Sequence, residues 1–287
     1  MDARVELHAV GANPGVVVCS MPLAFGISVV IPAFNRLDSL IRAIDSVECS
    51  NRSLVEIIVV DDGSSEDLRK HLPQRNKHGV VIRCLRFPVN RGPQAARNLG
   101  MRRARFTYVA FLDSDDTFHS QKLDVVLAKL SSDSVDLLFH AVTGMGKYNW
   151  LARTWSRYLS GWLPFHWLAA LYNPVVTPGL IVRHKRCLGV PWLRFCEDYS
   201  FILRYSSADT RVTYLDAELS AVYRRPFTQG GLSSSAWRMR KGEFSARRVL
   251  LKEGTCSALM RFAIGSCVGF GRIILDVVRL RYWRLRG

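Results

Sequence analysis

The chain has 287 residues, enough for one large domain or for one domain with a smaller lobe. Hydrophobic residues make up 48% of it and charged residues 22%, a globular composition that excludes a low-complexity or simple repeat protein. Forty Lys and Arg against 24 Asp and Glu give a net charge of +16, so an anionic partner is expected: nucleic acid, anionic lipid or a phosphorylated substrate.

The cysteines and the N-terminus bear on the cellular compartment. Seven cysteines are scattered without a C-x-x-C pair, which argues against a disulfide framework or zinc ribbon and fits a reducing compartment. Acidic Asp2 and Glu6 stand where a secretory signal would be positive, so no such signal is expected. We therefore predict a cytoplasmic protein in which residues 1–26 form an irregular extension and the working domain begins near Ile27.

The first half of the chain alternates apolar runs with helical spacing. The segment "ISVVIPAF" (27–34) is rich in β-branched residues, which is typical of a strand buried on both faces. Asn35 is predicted to cap the helix that follows. Further strands are predicted at 55–60, 79–87 and 106–112, and further helices at 61–72 (after a turn), 92–104 and 123–130. This alternation of strands and helices predicts a parallel α/β sheet.

Polar residues follow each predicted strand: Asn35, Asp61 with Asp62, Asn90 with Arg91, and the acidic run "DSDD" at 113–116. Ligands of open α/β sheets bind beyond the carboxyl ends of the strands, so these residues predict a binding crevice. The sequence has neither G-x-G-x-x-G nor a P-loop, so bound phosphates would need another source of positive charge.

The acidic run after the fourth strand has three interpretations. Carboxylates this close raise one another's pKa unless a cation lies between them, so a divalent metal site is one. "FLDSDDTF" also fits D-x-D-x-T, the pattern of haloacid-dehalogenase-like phosphatases, in which Asp113 would be the nucleophile. A plain acidic turn is the third.

Five sequence blocks occur in the order and at roughly the spacing of one enzyme family: "VVIPAFNR", "VEIIVVDDGSSED", "NRGPQAARNLG", "YVAFLDSDD" and "CEDYSFILR". Through them, residues 27–205 resemble family 2 glycosyltransferases. The resemblance implies a GT-A fold, in which a mostly parallel central sheet is flanked by helices. A nucleotide-sugar-binding half would occupy 27–142 and an acceptor-binding half 143–228, with a helical C-terminal extension beyond.

The resemblance also assigns site residues. Those implied for nucleotide-sugar binding are Pro32, Ala33, Phe34, Asn35, Asp61, Asp62, Arg97, Asp113 and Ser114. Within this set, Asp62 would accept a hydrogen bond from the base, and Arg97 would face the donor's phosphates or sugar. Asp113 and Asp115 would hold Mn²⁺ or Mg²⁺, with Asp115 as the more direct ligand. Asp198 matches the family's catalytic base, although Glu197 could take that role and Asp198 could simply cap its helix.

These assignments agree with the chemistry of sugar transfer. A hard divalent ion on oxygen ligands stabilises a departing diphosphate as a Lewis acid. A carboxylate on the opposite side of the sugar accepts the proton of the attacking hydroxyl, and in-line displacement then inverts the anomeric centre. The segment 230–240 lacks the Q-x-x-R-W motif of processive synthases, so transfer of a single sugar is expected.

The composition of the second half of the chain indicates contact with an acceptor and with a membrane. Residues 148–172 are rich in Trp and Tyr, and 158–182 carry no Asp, Glu, Lys or Arg. Prolines interrupt that stretch, so an acceptor-side or membrane-facing flap is predicted in preference to a spanning helix. Residues 229–287 predict either a basic amphipathic helix in the headgroup region or a core-packed helix with a solvated basic face.

The proposed partners follow from these predictions. We expect a nucleotide-diphosphate sugar, a glycan or lipid-linked acceptor, and peripheral contact with the cytoplasmic face of an anionic membrane. A bacterial polysaccharide or lipid-linked oligosaccharide pathway is the context that the family resemblance implies. A non-catalytic basic protein bound to nucleic acid remains the alternative from another class, but no zinc-finger, RRM or KH signature supports it.

Overall fold

The computed structural model describes residues 23–184, 189–191, 193, 195–223 and 236–284. The predictions for residues 1–22 and 224–235 fall outside these residues. The strands are β1 Ala24–Ala33, β2 Val55–Asp61, β3 Val81–Arg86, β4 Phe106–Phe111, β5 Thr117–Phe118, β6 Leu137–Thr143, β7 Leu180–Arg183 and β8 Val212–Ala221. The α-helices are α1 Leu37–Asp45, α2 Pro93–Arg103, α3 Lys122–Ser132, α4 Gly146–Thr154, α5 Phe165–Leu171, α6 Glu197–Tyr205, α7 Ala236–Arg247 and α8 Cys256–Arg284.

The described strands form one sheet with the order β3-β2-β1-β4-β7-β6-β8-β5. The β3-β2-β1-β4 part is parallel throughout, and β8 is parallel to β6. The antiparallel pairs are β4 with β7, β6 with β7, and β5 with β8. The predicted α/β class, with a mostly parallel sheet, flanking helices and a helical C-terminal segment, is confirmed.

Both faces of the sheet are covered, as the apolar strand sequences require. Along β1, Val30 points to the face covered by α2 and α5–α7, while Val29 and Ile31 point to the face covered by α1 and α3. This division follows from the two-residue period of side chains in a strand. Every residue of β2 is buried. Burial on both faces explains why these strands read as continuous apolar runs.

Three local predictions differ from the structure. Asn35 does not cap α1: the capping position is Arg36, and Asn35 has a left-handed φ of 53° with its side chain turned to the loop after β2. The helix predicted within 61–72 is only a 3-10 turn, Leu68–Lys70. The first strand begins at Ala24 and not near Ile27.

The helix predicted within the C-terminal region 229–287 is present as α8. Among the described residues, no helix combines the length and apolarity needed to cross a bilayer. The charge-free stretch 158–182 is divided between a helical turn, α5, a 3-10 turn and β7, so it does not form one span.

Close packing of α2 on β1 depends on Gly100. A Cβ atom at Gly100 would lie 2.3 Å from Cγ1 of Val30 and 3.0 Å from its Cγ2, so rotating the Val30 side chain would not relieve the clash. We expect Gly100→Ala to lower the free energy of unfolding by about 1–2 kcal/mol, because overpacking outweighs the better helix propensity of alanine. Gly271→Ala in α8, where a Cβ meets nothing within 4 Å, should raise it by about 0.5–1 kcal/mol. Urea unfolding of both variants tests the pair, and equal shifts would contradict the packing argument.

Candidate functional site

A cleft of about 1070 Å³ lies beyond the carboxyl ends of β1, β2 and β4. Residues of both predicted halves line it, and α2 enters it with Gly92 and Pro93 at its N-terminal end. The predicted site residues that line the cleft are Pro32, Ala33, Phe34, Asp62, Arg97, Asp113, Ser114, Asp115 and Asp198. Asn35 and Asp61 do not line it. The structure therefore brings most of the predicted residues to one place.

Asn35 fixes the loop after β1 to the loop after β2. The Asn35 side-chain oxygen accepts hydrogen bonds from the backbone N–H of Ser65 at 2.8 Å and from its hydroxyl at 3.1 Å. The Asn35 N–H donates to the Ser64 hydroxyl at 2.9 Å. These bonds tie the loops after β1 and β2 together and leave Phe34 half exposed at the cleft wall. Asn35 thus positions the loop, whereas direct contact with the nucleotide was predicted.

The two aspartates at the end of β2 have different surroundings. Asp61 is fully buried, accepts from the Ser64 N–H at 2.9 Å and pairs with Arg86 at 2.8 Å. Asp62 lines the cleft, and its carboxylate accepts from the backbone N–H groups of Arg91 and Gly92, both at 2.8 Å. Burial raises the pKa of Asp62, although the two N–H donors oppose this. Asp61 was predicted beside the ligand, but its position makes it a support for the loop.

The acidic run after β4 faces two arginines across the cleft. Asp113 Oδ1 lies 2.6 Å from Nη2 of Arg97, and Asp115 Oδ2 lies 2.6 Å from Nη1 of Arg36. Within the described residues, no three Asp, Glu, His or Cys side chains are grouped to hold a metal ion by themselves. A pair of carboxylates open to a cleft still suits Mg²⁺ or Mn²⁺, which commonly bind one or two carboxylates together with substrate phosphates. Asp113 and Asp115 fit such an ion.

Asp116, which was not assigned a role from the sequence, is buried beneath this pair. Burial, and next the carboxylates of Asp113 and Asp115, raise the pKa of Asp116 to about 8. One of its oxygens accepts from the backbone N–H of Tyr223 at 3.3 Å, which connects the acidic run to the end of β8. Three carboxylates within four residues already indicate mutual repulsion in the sequence. The burial of the third carboxylate, Asp116, is visible only in the structure.

Asp198 lines the cleft from the first turn of α6. Cys196 precedes that helix with a left-handed φ of 55°, which turns the chain so that α6 starts at the cleft. Burial raises the pKa of Asp198, while the positive charge of Arg97 acts in the other direction. A carboxylate with a raised pKa is a stronger base when ionised. The side chain of Asp198 also borders a small enclosed cavity beside Gln94 and Arg97.

Arg97 forms ion pairs both with the acidic run after β4 and with the first turn of α6. Its Nη2 contacts Asp113, and its Nη1 lies 3.1 Å from Oε1 of Glu197, the neighbour of Asp198. Arg97 is buried, which disfavours its charge, yet the nearby carboxylates of Asp113 and Glu197 raise its pKa overall. Burial, and next the charge of Asp198, raise the pKa of Glu197 to about 7. Arg97 thus keeps a crowded set of acids in place.

Loss of the Arg97 charge should be costly and pH-dependent. We expect Arg97→Gln to lower the free energy of unfolding by about 3–5 kcal/mol at pH 8, because buried carboxylates lose their partner. The pKa of Glu197 is already raised from 4.5 to about 7 in the fold, so folding favours its protonated form and its ionisation opposes folding as pH rises. The penalty of the variant should therefore shrink from pH 8 towards pH 5.

Urea unfolding across this pH range measures the effect. Arg69→Gln is the matched control, because Arg69 pairs with Asp67 on the surface. It should leave the unfolding midpoint nearly unchanged. A penalty for Arg97→Gln that is equal at pH 5 and pH 8 would contradict this account.

The far wall of the cleft is aromatic and comes from the second half of the chain. Tyr148 and Tyr172 contact each other with ring centroids 5.8 Å apart, and both line the cleft. Glu243 of α7 also lines it and pairs with Arg240 at 2.9 Å and with Arg272 of α8 at 3.3 Å. The sequence alone does not indicate that these charged residues belong to the site, because only the packing of α7 and α8 brings them there.

Comparisons with known proteins agree with this geometry. A stretch of 125 residues is 38% identical to an uncharacterized glycosyltransferase of Rickettsia conorii and covers 42% of this chain and 20% of that protein. A stretch of 122 residues is 33% identical to the succinoglycan biosynthesis protein ExoO of Rhizobium meliloti and covers 39% of this chain and 34% of that protein. The matched stretches thus span about a third or less of these relatives.

The fold is similar to that of a solved sugar transferase. The mannosyltransferase PcManGT of Pyrobaculum calidifontis, solved in complex with GDP-Man and Mn²⁺, superposes with a TM-score of 0.62 at 12% identity. The superposition covers 87% of this chain and 73% of that one. At this identity the likeness shows the fold.

The family assignment rests on a longer match. The model of glycosyl transferase family 2 matches residues 28–177, just over half of the 287-residue chain. This range contains the loops after β1, β2 and β4 that form the donor side of the cleft. Neither the phosphatase nor the nucleic-acid-binding alternative gains support from these comparisons. The chain therefore belongs to glycosyl transferase family 2.

Proposed function

We propose that this enzyme transfers one sugar, as a hexosyltransferase-type enzyme, from a nucleotide-diphosphate sugar to an acceptor hydroxyl with inversion. The observation that carries the proposal is the arrangement of acids in one cleft. Asp113, Asp115 and Asp198 all line this cleft, and Arg97 pairs with Asp113 and with Glu197, the neighbour of Asp198. Sugar transfer needs positive charge at the departing diphosphate and a base at the attacking hydroxyl. Arg97 and an ion held by Asp113 and Asp115 would supply the positive charge, and Asp198 would be the base.

On the donor side, Pro32, Ala33 and Phe34 form the wall for the base and ribose, and Asp62 lies next to them. The carboxylate of Asp62 retains lone pairs beyond those bound to the 91–92 backbone, so it can accept a further hydrogen bond from the base. Asp113 and Asp115 would hold Mn²⁺ or Mg²⁺ against the diphosphate, where the ion supplies Lewis-acid stabilisation of the leaving group.

On the acceptor side, Asp198 accepts the proton of the attacking hydroxyl. Its raised pKa makes its ionised form a stronger base than that of an exposed aspartate. The proposed inversion requires Asp198 to act, as a base separate from the acidic run, on the face of the sugar carbon opposite the departing diphosphate. Tyr148 and Tyr172 offer aromatic surfaces against which a sugar ring of the acceptor can pack.

The acceptor we propose is a glycan or a lipid-linked saccharide of a bacterial polysaccharide pathway. One relative, ExoO, carries succinoglycan biosynthesis in its name, which supports this class of product. We place the enzyme in the cytoplasm, where nucleotide sugars are made, in peripheral contact with the membrane that holds such acceptors.

A donor panel tests the proposal. Purified protein is incubated with UDP-, GDP- and dTDP-sugars with and without Mn²⁺, and nucleotide release and thermal unfolding are both measured. One donor should raise the unfolding temperature in the presence of Mn²⁺, because a ligand that binds only the folded state stabilises it. Hydrolysis of an aryl phosphate, with no response to any nucleotide sugar, would instead support the phosphatase interpretation.

A further inference from the structure

Over residues 256–270 of α8, the solvent-facing side is apolar. Residues that recur every three or four positions are exposed and uncharged, and we call them the outer stripe: Cys256, Leu259, Met260, Ala263, Ile264, Cys267, Val268 and Phe270. Phe270 is 65% exposed and Met260 is 55% exposed. A helix on the surface of a water-soluble domain normally turns its polar face outwards, so this helix has the reverse polarity.

The charged residues of the same part of α8 turn inwards. Arg261 is 4% exposed and pairs with Glu253, and Arg272 pairs with Glu243 at the cleft. Gly265 lies against the backbone oxygen of Ala170 in α5, so the two helices approach too closely for a side chain there. The sequence predicted a basic face towards headgroups or solvent, and for this part of α8 that prediction was wrong. The outward surface is apolar.

A second exposed aromatic group lies just before α5, the helix against which Gly265 of α8 packs. Tyr158 is 72% exposed and Trp162 is 91% exposed, and both precede α5. The helix α5 packs against α8, where Gly265 lies against the backbone oxygen of Ala170. The aromatic turn leads directly into this packed helix. Trp and Tyr are the residues that favour the membrane–water interface.

We propose that the outer stripe and this aromatic turn form a docking surface for an anionic lipid bilayer. The net charge of +16 attracts the protein to an anionic surface and repels a second copy of the same chain, so a bilayer fits better than a homodimer. The apolar side chains enter the boundary between headgroups and acyl chains, as in helices that lie in the plane of the interface. Because the stripe itself is uncharged, high salt should weaken binding without abolishing it.

The test compares two charge-matched double variants of the full chain. Ile264→Glu/Val268→Glu alters the stripe, and Ile41→Glu/Val125→Glu makes the same change on α1 and α3. The four side chains are 43%, 41%, 40% and 39% exposed, so both variants should fold, which circular dichroism checks. Flotation with phosphatidylglycerol-containing vesicles gives the bound fraction. We expect the stripe variant to bind at least about tenfold more weakly than the wild type and the control variant to bind much more tightly than the stripe variant.

A second readout reports on depth. A polarity-sensitive fluorophore attached to the exposed thiols of Cys256 and Cys267 should shift its emission to the blue when vesicles are added. Equal vesicle binding by both double variants would overturn the proposal. A dimeric wild type together with a monomeric stripe variant would also overturn it, because a second copy would then cover the stripe. Binding is measured without donor, so the result is independent of the proposed activity.

Discussion

Replacing Asp198 with asparagine should lower turnover by about a hundred- to ten-thousand-fold, the usual contribution of general base catalysis. Asparagine keeps the size of the side chain but accepts no proton from the acceptor hydroxyl. Donor affinity should change little, because most residues proposed to bind the donor lie at the loops after β1, β2 and β4, whereas Asp198 lies on α6. Initial rates at saturating donor and acceptor give turnover, and the thermal shift with donor gives binding.

Two further variants make this prediction specific. Glu197→Gln tests the neighbouring acid, whose contact with Arg97 gives it a supporting position. We expect a smaller loss of turnover for Glu197→Gln than for Asp198→Asn, and the reverse order would assign the base to Glu197. Asp209→Asn changes an exposed acid in the turn before β8 and should leave turnover intact. In the pH profile of kcat/KM, the acidic limb should have an apparent pKa above the usual range of aspartate, because burial raises the pKa of Asp198.

Replacing Asp115 with asparagine, or removing divalent ions with EDTA, should abolish metal-dependent donor stabilisation and lower turnover by about a hundredfold or more. Lewis-acid stabilisation of a leaving diphosphate is worth several kcal/mol, and each 1.4 kcal/mol corresponds to about tenfold in rate. Asp115 lies at the open cleft, so its carboxylate is positioned to bind an ion together with the donor's phosphates. Thermal shifts over a Mn²⁺ titration and initial rates measure both effects.

The control for this variant is another aspartate in an ion pair. Asp67 pairs with Arg69 at 2.7 Å, much as Asp115 pairs with Arg36 at 2.6 Å, but Asp67 lies outside the cleft. Asp67→Asn should therefore retain the response to Mn²⁺. The fold itself should survive EDTA, because Arg36 and Arg97 are partners for the acidic run. Unchanged donor binding and turnover in EDTA would exclude the metal-assisted mechanism.

The sheet and the cleft were largely predictable because they depend on local sequence. β1 and β2 are buried on both faces, so their sequences are continuous runs of β-branched residues. Ligands of such sheets bind beyond the strand ends, which placed Asp62 and Asp113 correctly at one cleft. Asp61 was less predictable, since neighbouring residues at a strand end face opposite ways and the sequence does not show which one is turned inwards.

Features that depend on distant contacts were not predictable. The role of Asn35 comes from Ser65, thirty positions later, and no local pattern indicates that contact. The face that α8 turns outwards is decided by α5, where Gly265 permits close approach to Ala170. The sequence of α8 shows both apolar and basic residues, so it supports an amphipathic helix without showing which side is buried.

The strand β7 comes from the predicted acceptor-binding half, but it lies in the sheet between β4 and β6, which belong almost entirely to the predicted nucleotide-sugar-binding half. It pairs with β4 on one side and β6 on the other, and Arg183 in β7 donates to the Tyr108 hydroxyl of β4 at 2.7 Å. A continuous hydrogen-bonded sheet resists hinge bending, so the halves should not swing apart as rigid bodies when substrates arrive. Any closure would then be confined to loops at the rim, and the radius of gyration in solution scattering should be the same with and without donor.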